Sequence, residues 1–63
     1  MKRIIISTED GRMVLLRSQD VISVWEDPKD EFTIVNFLQG ERAMMLKTKE
    51  ALQNLNVRLQ DEP

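Results

Sequence analysis

The stretch Ile4-Ile5-Ile6-Ser7-Thr8-Glu9-Asp10-Gly11-Arg12-Met13-Val14-Leu15-Leu16 decides the fold. It sets an Asp-Gly pair between two apolar runs. That pair is a strong short-range hairpin signal, because tight hairpin turns need residues that tolerate positive φ. The spacing predicts one strand over residues 3–8 and a second over 12–17.

The same punctuation continues outward from this hairpin. Ser18-Gln19-Asp20 is short and polar and reads as a second turn. Val21 to Glu26 is rich in β-branched and aromatic residues, which predicts a third strand over 21–26. Asp27-Pro28-Lys29-Asp30 is the next turn, where Pro28 fixes φ and cannot donate to a ladder. A fourth strand follows over 32–38, then a Gln39-Gly40-Glu41 turn, then a fifth strand over 42–46. Ala43, Met44 and Met45 also suit a helix, so the fifth strand rests on its position between turns. The period then changes. Ala51, Leu52, Leu55 and Leu59 make one apolar stripe at helical spacing, with Thr48 as a cap and Glu50 in the first turn. These signals predict a helix over 49–59, with Gln53, Asn54 and Arg58 facing water.

Short turns between successive strands imply antiparallel pairing. The expected fold is therefore mainly β (α+β). It is a five-stranded antiparallel sheet or small barrel with one C-terminal helix, in a single domain over residues 1–63.

Strand alternation then sorts the side chains. Ile22 and Val24 oppose Val21, Ser23 and Trp25. Val14 and Leu16 oppose Met13 and Leu15. Phe32, Ile34 and Leu38 oppose Val35 and Phe37. Both faces of the sheet are apolar, and one three-turn helix covers only one of them. The second face, around Met13, Leu15, Trp25, Val35 and Phe37, is expected to close as a barrel or to meet another subunit. A 63-residue chain buries only roughly 60% of its unfolded surface, so reinforcement is expected. Without cysteine or histidine, disulfides and thiolate or imidazole metal sites are excluded. Association is the reinforcement that is left. A homo-oligomer is expected, with a dimer favoured, and Trp25 covered by the partner subunit.

Composition narrows the function. With 41% hydrophobic and 32% charged residues the chain is of globular type, and its net charge of −2 does not describe a nucleic-acid-coating protein. No apolar run approaches the roughly 20 residues that span a bilayer. The basic-then-apolar start Lys2-Arg3-Ile4-Ile5-Ile6 is cut off too early, by Ser7-Thr8-Glu9-Asp10, for a signal peptide. A cytoplasmic location is expected.

Catalysis is not expected. No histidine is available to activate Ser7, Ser18, Ser23, Thr8, Thr33 or Thr48. Gly11 and Gly40 serve turns and do not open a phosphate loop. The acids Glu26, Asp27, Asp30 and Glu31 around Pro28 lack the alternate spacing and central glycine of a calcium loop, and read as a solvated turn. No cofactor and no metal is expected. Lys2, Arg3, Arg42, Lys47 and Lys49 would form a basic edge if the first and fifth strands were neighbours. Such an edge could hold phosphates, or merely discourage edge-to-edge aggregation.

Several of these segments, taken together, resemble the small flagellar FlbD or SwrD family. They are Glu9-Asp10-Gly11, Leu15 to Ser18, Asp20-Val21-Ile22-Ser23-Val24-Trp25-Glu26, Thr33-Ile34-Val35, Gly40 and Thr48-Lys49-Glu50-Ala51-Leu52. The likeness covers roughly residues 4 to 55 and implies a non-enzymatic role in supporting flagellar motor output. Here the first turn is Asp-Gly where that family has an Asn-Gly type. Asp20-Val21-Ile22-Ser23-Val24 and Thr48 to Leu55 are also similar to the core of the LytTR DNA-binding domain, which is longer. The order of five strands and a helix is similar to the dimeric RNA-binding CsrA family. Its contact segments correspond to Arg3 to Thr8 and Met45 to Lys49, although Phe37-Leu38-Gln39-Gly40 replaces that family's Gly-x-Asn-Ala-Pro segment. Two readings follow. One is a regulatory protein of bacterial or phage type that acts through protein contacts as a homo-oligomer. The other is a nucleic-acid-binding regulator that uses the basic edge.

Overall fold

The computed structural model describes residues 3–60. Five strands and one helix follow in the expected order: β1 (Arg3–Ser7), β2 (Met13–Arg17), β3 (Val21–Asp27), β4 (Phe32–Gln39), β5 (Arg42–Thr48) and α1 (Leu52–Gln60). The protein is mainly β. The strands do not form one sheet or a closed barrel, however. β1 and β2 make an antiparallel hairpin, and β3-β4-β5 make a separate antiparallel sheet.

The expectation of one sheet fails at Ser18–Asp20. This segment is a single turn of 3-10 helix rather than a tight hairpin turn. The Arg17 side chain reaches across it to Asp20 at 2.7 Å. The chain is thereby carried from the hairpin to the other sheet, and β2 never pairs with β3.

The other turns behave as their residues require. In the first hairpin the Gly11 N–H donates to the Thr8 carbonyl at 3.1 Å and the Thr8 N–H to the Arg12 carbonyl at 2.8 Å. Gly11 takes φ +90°, which closes this three-residue loop without a Cβ clash. Gly40 does the same for the β4–β5 hairpin at φ +65°. The β3–β4 turn instead places Glu31 at φ 59°, and its N–H donates to the Asp27 carbonyl at 3.1 Å.

The core lies between the two sheets. Ile4, Ile6 and Leu16 of the hairpin meet Val35 and Phe37 of β4, Leu46 of β5 and Leu55 of α1. Ile6, Val35 and Leu55 are wholly buried. Each such side chain contributes about 1.5–3 kcal/mol through burial. Val35 and Phe37 therefore do not belong to an exposed second face. The hairpin folds over them and covers intramolecularly what a partner subunit was expected to cover.

A bulge in β3 corrects a second expectation. Val21 pairs with Phe37, but Ser23 already pairs with Asn36, so Ile22 is the extra residue. Val21 and Val24 consequently both pack against the core, while Ile22 is turned out to solvent. Simple alternation puts Ile22 with Val24, and the bulge separates them.

The helix starts later than Thr48. Its first bond runs from the Leu55 N–H to the Ala51 carbonyl, at 3.1 Å. Thr48 ends β5, is buried, and its hydroxyl accepts the Glu50 N–H at 3.2 Å, so it caps the turn before the helix. α1 seals one side of the sandwich. Leu55 enters the core. Arg58 is not left to solvent: its guanidinium donates to the Ile5 carbonyl of β1 and pairs with Glu50.

Candidate interaction surfaces

The two-layer arrangement divides the expected partner face into three places. Val35 and Phe37 are core. Met13 and Leu15 are exposed on the outside of the hairpin, and Trp25 is exposed on the outside of the three-stranded sheet. Hairpin and sheet meet through their inner sides, so these two outer faces look in opposite directions.

The sheet's outer face follows from cross-strand register. Trp25 stands opposite Ile34, and Ile34 opposite Lys47. One row along, Ser23, Asn36 and Met45 stand side by side, and the Asn36 amide donates to the Ser23 hydroxyl at 3.0 Å. Leu38 follows on the same strand face, opposite Ala43. Trp25, Leu38 and Met45 are 46%, 42% and 58% exposed, whereas Ile34 is 4% exposed beneath its neighbours. Apolar surface therefore runs across all three strands. Alternation groups Ile34 with Leu38 from sequence, but it puts Trp25 on the face of Val35 and Phe37, whereas the ladder sets Trp25 opposite Ile34. Met45 escapes notice because β5 is the strand whose residues also suit a helix.

The hairpin's outer face is smaller. Ile5 stands opposite Leu15, and Ser7 opposite Met13, with Arg3 opposite Arg17 at the far end. Ile5, Met13 and Leu15 are all more than half exposed. The Ser7 hydroxyl lies 3.1 Å from the Met13 sulfur.

The basic edge does not form. β1 pairs only with β2, so β1 and β5 are not neighbours in a sheet. Arg3 sits at the start of β1, while the loop after the other end of that strand touches β5, where the Glu9 N–H donates to the Lys47 carbonyl at 2.9 Å. Arg42 and Lys47 are five residues apart on β5 and project to opposite faces. Lys47 is also paired with Asp30 at 3.6 Å. Lys49 is exposed beyond the strand, and Lys2 lies outside the described residues. The four described cations, Arg3, Arg42, Lys47 and Lys49, are scattered over both ends of the molecule.

The acidic turn is held by its own contacts. The Asp27 carboxylate accepts the Lys29 N–H at 3.0 Å, and Asp30 bridges to Lys47. Among the described residues no three acids converge in a way that could hold a metal ion. In the first hairpin turn the Thr8 hydroxyl donates to Asp10. That bond, then the Arg12 N–H and guanidinium, hold the Asp10 carboxyl below its ordinary pKa. No described helix is long and apolar enough to cross a membrane.

Compared with family models, with curated proteins and with solved structures, the chain shows no match to any.

Proposed function

We propose that this is a non-enzymatic interaction protein that self-associates, as a dimer, through the outer face of β3-β4-β5. The observation that carries the reading is the apolar surface of Trp25, Leu38 and Met45, around the buried Ile34, on the side away from the core. A tryptophan beside a buried isoleucine, with a methionine one row along, forms the kind of anchor that dominates protein interfaces, where aromatic residues and methionine are enriched. Two copies related by a two-fold axis would apply the same face to each other, and such a contact closes on itself. The polar Ser23–Asn36 pair lies within this face with its own hydrogen bond made, so covering it leaves that bond intact.

A regulatory role of flagellar type belongs to the same proposal and rests on the likeness to the FlbD or SwrD family. The nucleic-acid reading loses its main support, because the described basic residues of the expected edge do not converge. The non-enzymatic reading is supported by the lack of histidine and cysteine and by the structural engagement of the hydroxyls of Thr8, Ser23 and Thr48. The emission of Trp25 tests the proposal. Its maximum should move to shorter wavelength as protein concentration rises through the association range. It should stay fixed at the long-wavelength position in Met45→Lys. A wild-type spectrum independent of concentration, from a monomer at every concentration, would overturn it.

A further inference from the structure

The two sides of the sandwich differ. On one side α1 closes the gap between β1 and β3, and Arg58 takes the outward carbonyl of Ile5. On the other side β2 and β5 face each other across an open groove of about 630 Å³. Val14, Leu16, Phe37 and Met44 form its floor, and Leu15 and Met45 stand on its walls.

Hydrogen-bond parity defines what the groove presents. In an antiparallel ladder alternate residues turn both main-chain groups toward the partner strand, and those between turn both away. Thr8 and Arg12 are a bonded pair, so Val14 and Leu16 face β1 while Met13 and Leu15 face outward. The Lys47 carbonyl is turned away from β4 to accept the Glu9 N–H, so Met45 and Ala43 are turned away too. Among the described residues the main-chain groups of Met13, Leu15, Ala43 and Met45 have no main-chain partner. Neither edge carries the proline, bulge or central charge that usually blunts exposed strands. The floor is also incomplete. Met44 projects to the core side of β5, opposite Phe37, yet it is 40% exposed where Phe37 is 7% exposed.

We propose that this groove receives an extended segment of a partner polypeptide, which adds a strand between β2 and β5. Two edges with free donors and acceptors at a two-residue repeat match an extended backbone, and inward side chains at alternate positions would cover Met44 and Val14. β2 and β5 run in opposite directions, so the added strand is parallel to one and antiparallel to the other. Charge sets its composition. Asp10 pairs with Arg12, Arg17 with Asp20 and Lys47 with Asp30, so among the described residues the rim is largely neutralised, and Glu9 supplies an acid for a base on the incoming segment. The segment is apolar at alternate positions, low in net charge, and basic at the end that lies near Glu9. This inference does not rest on self-association through the Trp25 face.

The test uses the full chain and a capped peptide, Lys-Val-Thr-Val-Thr-Val-Thr. On titration, amide hydrogen exchange at Leu15, Ala43 and Met45 should slow by at least tenfold. A peptide N-methylated at every residue should bind at least tenfold more weakly. Ala43→Pro, which removes an outward N–H from an edge position, should weaken peptide binding to a similar degree. Trp25→Ser should leave it unchanged. Equal binding of the N-methylated peptide, or no protection at millimolar peptide, would overturn the proposal. Protection of the same amides that grows with protein concentration alone would also overturn it, by assigning the groove to a second copy.

Discussion

Trp25 lies directly opposite Ile34 in the β3–β4 ladder, on the face away from the core, and beneath it Ile34 is only 4% exposed. Its chain neighbour Val35 is buried on the other face. β4 is thus apolar on both sides for two different reasons. Val35 and Phe37 hold the hairpin, while on the outer side Ile34 is buried beneath Trp25, and Leu38 and Met45 continue the exposed apolar surface.

The division predicts opposite outcomes for two β-branched residues of similar character. Val35→Ala should leave a cavity under the hairpin and cost about 2 kcal/mol, lowering the melting temperature by roughly 8–16 °C for a domain of this size. Ile22→Ala, at the exposed bulge, should change stability by about 0.5 kcal/mol or less. Thermal unfolding followed by circular dichroism separates the two. Equal losses would contradict the bulge register.

Much of this architecture is legible in the residues. Each strand and the helix lie within a few positions of where turn signals and periodicity set them. The Asp-Gly hairpin is legible because only local chemistry is needed. The separation into two sheets is not, because Ser18-Gln19-Asp20 has the composition of any polar turn, and only its 3-10 geometry sends β2 and β3 apart. The bulge at Ile22 is silent for a related reason: it inserts a residue without changing composition, and it reverses the alternation that sorts Val21 from Val24. The basic edge misled because it depended on which strands are neighbours, a property of topology that no single segment contains.

Arg58 predicts how firmly the helix is attached. Arg58→Met keeps the packing stem but removes the bonds to the Ile5 carbonyl and Glu50. The expected loss is about 1–2 kcal/mol. Amide exchange at Leu55 and Leu59 should quicken more than at Val35. An unchanged exchange pattern would show that α1 is held by the apolar packing of Leu55 and Leu59 without help from Arg58.

The first hairpin turn predicts a pH response. The Asp10 pKa is lowered in the folded chain, chiefly by the Thr8 hydroxyl and then by Arg12. A depressed carboxyl contributes stability that is present above its unfolded pKa and lost as pH falls through the folded value. The contribution is small at so exposed a site. A carboxyl-carbon NMR titration should find Asp10 titrating below ordinary aspartate, and Thr8→Val should move it back toward the ordinary value. No movement in Thr8→Val would remove Thr8 as the cause.

Self-association through the Trp25 face is the central claim, and sedimentation velocity of the wild type beside Trp25→Ser tests it most directly. The wild type should sediment as a dimer, at twice the 7.4 kDa of one chain. Trp25→Ser should remain folded and shift toward monomer, with the dissociation constant weakened about 30-fold or more, as expected for loss of a hot-spot contact of about 2 kcal/mol. A wild-type protein that is monomeric across the concentration range, or a Trp25→Ser variant that dimerises equally well, would contradict the account.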